Sequence, residues 1–440
     1  MNSIAGQAPP IGLRASTSAI DAAKARTRLI AIDALRGLVM LFMLVDHVRE
    51  TWFLHLQVTD PVDANTTDPG LFFTRLLSTF CAPTFVALTG LSAWLYGQSH
   101  TKGQVSEFLL KRGLFLIFLE FTVVGYAWPT QAPAFPPTAI WLQVIWAIGF
   151  SMIALAALLH LPRPAQFAVG LAIVCLHNLL DPVRLTADQP GYALWAVLHQ
   201  RSLIDFGGIA VKTTYPILPW IGVILLGYAC GPWFARGSDP APRIRRLALL
   251  GLGLIAGFVV LRWLNIYGDK PWFVAETPLR TVMSFLALTK YPPSLLFLMP
   301  TIGTGCLLLA LFERFESSKA MPTLAMLGGA PMFYYILHLY VLKAIYNVAL
   351  LMYGPTKGTV FGVDQLRWVW IWVFILIPVL YFPTRWFAQL KQRRKDIWWL
   401  KYLRRSCVRV DLGRLPCGRR PFSGGFRPCS RNNHHSIFLP

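Results

Sequence analysis

Apolar stretches of about twenty residues, the length that spans a bilayer as a helix, recur along the whole chain. Of its 440 residues, 55% are hydrophobic and only 14% are charged. The charged residues are too few to cover the folded chain with a polar surface in water. Inside lipid, backbone N–H and C=O groups must pair within the protein, which favours helices. We therefore predict an all-α, polytopic bundle of transmembrane helices in a multi-pass membrane protein.

Hydropathy places ten spans, with boundaries good to a few residues. A short helix near 278–289 would bring the count to eleven. The ten predicted spans are near 31–56, 71–97, 108–128, 139–159, 165–181, 215–235, 246–265, 292–312, 330–352 and 365–385.

The distribution of Lys and Arg predicts the orientation. The first two loops on one side, 57–70 and 129–138, contain neither residue type, whereas the segments on the other side are basic. Cytoplasmic segments of membrane proteins are enriched in Lys and Arg. We therefore expect both the N-terminus and the C-terminus to be cytoplasmic.

The two ends of the chain differ in composition from residues 29–403 between them. Residues 1–28 are polar, lack the apolar core of a signal peptide and are expected to be a disordered cytoplasmic segment. Residues 404–440 hold eight Arg and one Asp without apolar periodicity, which predicts a disordered basic tail. The net charge of +21 then indicates contact with acidic lipid headgroups, and no nucleic-acid partner is expected.

The cysteines and the familiar catalytic motifs point to no cofactor. Cys81, Cys175, Cys230 and Cys306 lie in or beside separate spans, where free Cys usually packs as a small apolar residue. The chain contains no phosphate-binding glycine loop, GxSxG or HExxH sequence. We expect no metal.

The first span carries the strongest functional signal. Asp46 and His47 fall deep inside it, and Arg36 precedes His47 by eleven residues. A helix rises about 16 Å over that distance, so the arginine lies at one membrane face and the imidazole past the midplane. Ionisable groups at such depth are costly unless paired or hydrated, and they mark a functional site by default.

Two further ionisable residues share this part of the helix. Glu50 follows His47 by three residues and falls in the same helical sector, while Arg49 could neutralise a carboxylate. One interpretation is structural pairing, with Arg36 reaching lipid headgroups. The other is a transfer site, in which Arg36 holds an anionic donor whose extended arm reaches the histidine.

Here the chain resembles a known group. Arg36-Gly37-Leu38 followed by Asp46-His47 is similar to the first-helix motif of the transmembrane acyltransferases, which include acyltransferase-3 enzymes and glucan succinyltransferases. The closer resemblance is to the heparan-α-glucosaminide N-acetyltransferase catalytic-domain family, in its bacterial branch. Similar segments continue at 80–90, at 215–222 and at 333–338, and the resemblance covers about 29–403.

The resemblance implies an enzyme that moves an acyl group, acetyl in the simplest case, from cytoplasmic acyl-CoA. The acceptor would be an amino sugar or another envelope glycan at the outer face of a bacterial inner membrane. Carried onto this chain, His47 would be the catalytic histidine, as general base or transient acyl carrier, with Asp46 beside it and Arg36 binding acyl-CoA. His55 is the alternative histidine, because the eukaryotic enzyme's histidine is nearer the lumenal helix end.

Other residues are secondary candidates. His338 lies among tyrosines in the ninth span, either as a buried hydrogen-bonded histidine or as part of the substrate cavity. Arg75 is expected to pair with carboxylates of loop 57–70 or of the first span. His177 and Asp181 are four residues apart at one end of the fifth span. The long outer loops 182–214 and 266–291 are natural places for an acceptor.

A transporter is the main alternative function. Asp46, His47 and Glu50 could relay protons in a secondary transporter or exporter, which would require broken helices at matching places in repeated halves. Gly and Pro interrupt the second and sixth predicted spans, but no clear internal repeat is present. The acyltransferase is favoured. The sequence leaves the acceptor, the acyl chain and the existence of a homo-oligomer open.

Overall fold

A computed structural model describes residues 11–128 and 137–394, with the side chains of 30–128, 137–391 and 393–394. The described chain is mostly helical. Its helices are α1 (Ile11–Trp52), α2 (Pro69–Leu76), α3 (Cys81–Gly97), α4 (Lys102–Leu119), α5 (Val144–Leu158), α6 (Arg163–Leu176), α7 (Tyr192–Leu198), α8 (Leu218–Ala229), α9 (Pro240–Leu264), α10 (Pro278–Leu286), α11 (Leu295–Arg314), α12 (Ala320–Leu327), α13 (Pro331–Tyr353) and α14 (Arg367–Arg393).

A small three-stranded sheet corrects the all-α expectation. Strands β1 (Ala139–Leu142), β2 (Leu203–Phe206) and β3 (Ile209–Thr213) have the order β1-β3-β2, with β1 parallel and β2 antiparallel to β3. The turn between β2 and β3 is Gly207-Gly208, and both glycines have positive φ. Two such residues favour a tight hairpin, so a local sequence signal for these strands was present.

Six helical segments of the described chain are long and apolar enough to span a membrane. They are Pro69–Gly97, Arg163–Leu180, Pro240–Leu264, Leu295–Arg314, Pro331–Tyr353 and Arg367–Lys391. Helices α5 and α8 are apolar but shorter. The count of ten spans and the orientation of the termini stay predictions.

Several predicted spans differ in detail from the helices. The predicted span 71–97 comprises α2 and α3, with a break between them, and 139–159 begins as strand β1 before α5. The short helix near 278–289 is confirmed as α10. Helix α1 already begins at Ile11, inside the segment for which disorder is expected. The tail 404–440 lies outside the described residues.

Helix α1 packs against α3, α11, α12, α13 and α14. Its closest approach is to α12, where a Cβ added to Gly37 would overlap the carbonyl oxygen of Leu324. In the same way, a Cβ on Gly328 would overlap the carbonyl oxygen of Asp33. The two glycines therefore bring the backbone after α12 directly against the turn of α1 that carries Arg36.

Candidate active site

His47 and His338 form a direct side-chain pair between α1 and α13. His47 Nδ1 lies 2.6 Å from His338 Nε2, and the two ring planes are parallel to within 3°. The partners are 291 residues apart in the chain. The His47 ring also meets Trp128 and Tyr335 edge to face. The structure thus joins the first candidate histidine to one of the secondary candidates.

The surroundings of His338 decide which nitrogen of His47 carries a proton. His338 Nδ1 lies 2.8 Å from the backbone oxygen of Tyr334, which can only accept, so Nδ1 is the donor. In neutral His338, Nε2 then accepts, and His47 Nδ1 donates to it. His47 Nε2 keeps its lone pair and has no hydrogen-bond partner among the described residues.

Asp46 takes part in an ion pair that does not include the histidines. Its Oδ1 accepts from Arg49, 2.8 Å from Nη2 and 3.2 Å from Nε. Arg49 is fully buried and also lies 3.5 Å from Glu50. Lys290 Nζ is 3.9 Å from Asp46 Oδ2. Asp46 and Glu50 therefore compensate buried cations in this structure, and neither makes a hydrogen bond to the His47 ring.

A cavity of about 180 Å³ connects the candidate functional residues of α1. Asp33 and Arg36 line it at one level of the helix, and Asp46 and His47 line it at another. Tyr335 contributes a phenol whose buried hydroxyl has no hydrogen-bond partner in the described structure. A single internal space thus reaches both the arginine and the histidine.

The Arg36 end of the cavity is cationic. Arg36 forms an ion pair with Asp33 at 3.0 Å and donates to the hydroxyl of Ser92, which fixes the guanidinium on the wall. Arg112 and Lys391 line the same cavity, and Lys391 donates to the backbone oxygen of Gly329 at 2.7 Å. Among the described residues, three cations and one carboxylate line this end of the cavity, and such a cationic surface is suited to phosphate groups.

At the His47 end of the cavity, charged residues from outside α1 interact with one another. Arg75 lies 3.7 Å from Asp60, which confirms the predicted pairing of Arg75 with loop 57–70. Asp60 accepts the backbone N–H groups of Lys290 at 3.1 Å and Tyr291 at 2.8 Å. Tyr215 lines the cavity and lies 3.2 Å from Tyr291, hydroxyl to hydroxyl. The end of the predicted acceptor loop 266–291 thus reaches the site.

His55 lies apart from this cavity. It follows the end of α1, its ring stacks on Phe53 with centroids 5.7 Å apart, and it packs against Gly362. It is not among the residues that line the cavity. Of the two histidines that the sequence offers, only His47 reaches the space shared with Arg36.

His177, Asp181 and His199 form a separate group, and their candidate ligand atoms lie within 4.8 Å of one another. Within the described chain, these are the residues that could hold a metal ion. His199 Nε2 lies 3.7 Å from Asp181 and 2.7 Å from the backbone oxygen of His177. None of the three lines the cavity at His47, and the absence of a metal stays a prediction.

Several cavity residues were missed by sequence reasoning. Lys290 and Arg112 were not singled out, although a lysine or arginine at the edge of an apolar stretch is a weak signal of a functional cation. Tyr335 appeared only inside an aromatic segment. No local pattern in the sequence distinguishes these residues from other interfacial cations and tyrosines.

The chain is similar in sequence to a known protein family. The family model described as heparan-alpha-glucosaminide N-acetyltransferase, catalytic, matches residues 28–267, which is more than half of the chain. The matched region includes Arg36, Asp46 and His47, and it ends before Lys290 and His338. A search of curated proteins found no match.

Proposed function

Because the chain belongs to the heparan-α-glucosaminide N-acetyltransferase catalytic family, we propose that its domain 29–403 transfers an acyl group from acyl-CoA to an acceptor across the membrane. Acetyl is the simplest acyl group for this family. The observation that carries the proposal is the single cavity that reaches both Arg36 and His47. The donor enters at the cytoplasmic Arg36 end, and the acceptor binds at the outer His47 end.

The donor is held by charge at the Arg36 end. Coenzyme A carries phosphates, and Arg36, Arg112 and Lys391 offer cationic donors there, with Arg36 oriented by Asp33. Guanidinium groups bind phosphate through paired, charge-assisted hydrogen bonds. The cavity is lined by α1 from Arg36 to His47, so the pantetheine arm would carry the thioester along α1 towards the histidine.

His47 supplies the chemistry through Nε2. In a direct route, this lone pair removes the proton of the acceptor as the acceptor attacks the thioester carbonyl, and the C–S bond breaks. The proton then passes to the coenzyme A thiolate. In a covalent route, Nε2 attacks the thioester carbonyl first, and coenzyme A leaves as its thiolate. The acceptor then attacks the acyl-imidazolium, neutral His47 is released, and the acceptor's proton passes to the thiolate. Both routes generate positive charge on His47, which the hydrogen bond to His338 stabilises.

The acceptor side offers polar groups suited to a sugar. Tyr215, Lys290 and Tyr335 line the cavity on the side of His47, and the Tyr335 hydroxyl has an unused donor in the described structure. A sugar presents hydroxyl or amino groups that can both donate to and accept from such side chains. We therefore propose an amino sugar or another envelope glycan as acceptor.

The test compares two histidine variants in proteoliposomes. Wild type, His47→Ala and His55→Ala receive radiolabelled acetyl-CoA on the Arg36 side and glucosamine on the other side, and labelled product is identified by mass spectrometry. We expect His47→Ala to lose at least about 100-fold in transfer, because general acid–base or nucleophilic chemistry is removed. His55→Ala should retain the wild-type rate.

Two results would overturn the proposal. One is full transfer by correctly inserted His47→Ala protein. The other is movement of a solute without any labelled product in wild type, which is the behaviour of a transporter. A reaction without acceptor separates the two routes, since only the covalent one leaves label on His47.

A further inference from the structure

A second cavity lies beside the first and is much more apolar. It measures about 520 Å³ and is lined mainly by Leu and Phe side chains, most of them from α1, α2, α9, α11 and the segments next to α2 and α10. Leu77, which lines it, is 39% exposed on the outside of the bundle. The cavity is partly open, we place the surface at Leu77 in lipid, and hydrocarbon is the chemistry that matches the cavity walls.

The polar groups of this second cavity are clustered. Among the residues that the structure describes, its charged lining residues are Asp60, Arg75 and Lys290. Lys290 lines the first cavity as well, beside Asp46 and His47. A molecule that fills the apolar cavity would therefore place a polar head at Lys290, directly next to the proposed reaction site.

In the described part of the chain, neither cation at this junction has a side-chain hydrogen bond. The side chains of Arg75 and Lys290 are each only 8% exposed. Their nearest carboxylates in the described chain are 3.7 and 3.9 Å away, beyond hydrogen-bond distance. Among the described residues, neither side chain donates a hydrogen bond, so the donors of two buried cations are unused.

Both neighbouring carboxylates accept hydrogen bonds from other donors. Asp60 accepts two backbone N–H groups, from Lys290 and Tyr291. Asp46 accepts both contacts from Arg49 on Oδ1, and its Oδ2 lies 3.9 Å from Lys290. Buried cations are normally paired and hydrogen-bonded, so the junction is suited to an additional anion. A phosphate or carboxylate between Arg75 and Lys290 would use their free donors.

We infer that the acceptor is a sugar carried on an anionic lipid. Its hydrocarbon chain occupies the apolar cavity, its phosphate binds between Arg75 and Lys290, and its sugar enters the first cavity at His47. The inference rests on the proposed function and specifies its acceptor class. The shared cation, Lys290, is what couples lipid binding to acyl transfer in this arrangement.

The first arm of the test measures binding without catalysis. Full-length protein in phosphatidylcholine nanodiscs is titrated with dioleoyl phosphatidic acid or with uncharged dioleoylglycerol, and bound lipid is counted by native mass spectrometry. Phosphatidic acid should bind at least tenfold more tightly. Lys290→Gln and Arg75→Gln should each reduce that preference by about tenfold, whereas Lys270→Gln, an exposed lysine of the same loop, should not.

The second arm measures transfer from acetyl-CoA to two acceptors, free glucosamine and glucosamine linked to a polyprenyl phosphate. The lipid-linked sugar should be acetylated with a kcat/KM at least tenfold higher. Thr304→Trp, which fills the apolar cavity, should remove this advantage and leave transfer to free glucosamine unchanged.

The outcomes separate this inference from the proposed function. Equal use of the two sugars by wild type would overturn the lipid-acceptor inference while transfer itself stands. Tight phosphatidic acid binding with equal use of the sugars would assign the cavity to an ordinary membrane lipid. With palmitoyl-CoA as the donor in the same assay, Thr304→Trp could instead lower only the transfer of the palmitoyl group. In that case the cavity holds the donor's acyl chain, and the lipid-acceptor inference is overturned. Acetylation of neither sugar would count against the proposed function, whatever the binding arm shows.

Discussion

A neutral imidazole has one lone pair, and the partner of its other nitrogen decides where that lone pair lies. For His47 the partner is His338, which is itself oriented by the backbone oxygen of Tyr334. The chain of hydrogen bonds leaves the lone pair on Nε2 of His47, the atom to which the proposed function assigns the chemistry. We therefore place His338 as a positioning residue that acts through His47.

This role predicts a graded response at His338. His338→Ala removes the acceptor for His47 Nδ1 and should lower kcat about 10- to 100-fold, the effect of losing roughly 1.5–3 kcal/mol of a hydrogen bond to a charged group. His338→Gln offers an amide oxygen as acceptor and should recover part of the rate. The measurements are kcat and its pH profile.

The His338 test has one control variant, and one result would contradict the proposed role of His338. His160→Ala alters an exposed histidine and should leave kcat unchanged. If His338→Ala and His338→Gln lose the same activity and melt equally early, His338 serves packing alone.

At the scale of elements, α1 is unusual for a membrane helix because it carries several ionisable residues. It carries Asp33, Arg36, Asp46, Arg49 and Glu50, yet the first four are buried or nearly so against neighbouring helices. Charges that face protein and a cavity avoid the cost of contact with hydrocarbon. The surrounding helices are thus what allow α1 to hold the site.

Close packing of α1 on α12 is expected to be essential. In Gly37→Ala the new Cβ would meet the backbone oxygen of Leu324, which cannot move like a flexible side chain. Overpacking of this kind costs about 1–3 kcal/mol, so the Tm of the purified protein should fall.

Gly253→Ala is the matched control for this packing test, because a Cβ at that position of α9 meets no atom within 4 Å. Alanine is also the better helix former, so the Tm of this variant should stay the same or rise. An unchanged Tm in Gly37→Ala would contradict the close contact between α1 and the chain around α12.

On the scale of the whole molecule, the proposed function places donor binding and chemistry at different ends of one cavity. Arg36 and His47 are about 16 Å apart along α1 by helical rise. The Arg36 end is cationic, and the His47 end holds the imidazole pair and the shared Lys290. A substitution at one end is therefore expected to affect a different kinetic constant from a substitution at the other.

Arg36→Ala should raise the KM for acetyl-CoA at least about tenfold with little change in kcat, because a charge-assisted contact made equally in ground and transition states is lost. Arg314→Ala, an exposed arginine at the end of α11, should change neither constant. Steady-state kinetics in proteoliposomes provide the measurement. A fall in kcat at saturating donor with unchanged KM would contradict donor binding by Arg36.

The parts of this protein that could be predicted from sequence are those that depend on local composition. Apolar stretches predict membrane helices because lipid cannot satisfy an open backbone, and Arg36 with Asp46 and His47 stands out because charge inside such a stretch is costly. The family resemblance at the same residues agrees with the family match. The Gly207-Gly208 pair is also a local sequence signal for a hairpin, although no strand is predicted there in the sequence analysis.

Only the tertiary structure decided which residues meet. His338 was one candidate among several aromatic neighbours until the packing of α13 on α1 placed it against His47. Lys290 lies 244 residues beyond Asp46 in the sequence. The conformation of the loop between α10 and α11 places Lys290 at both cavities. Helix packing selects such partners through shape and close glycine contacts summed over many helices, and no segment of the sequence read by itself contains that information.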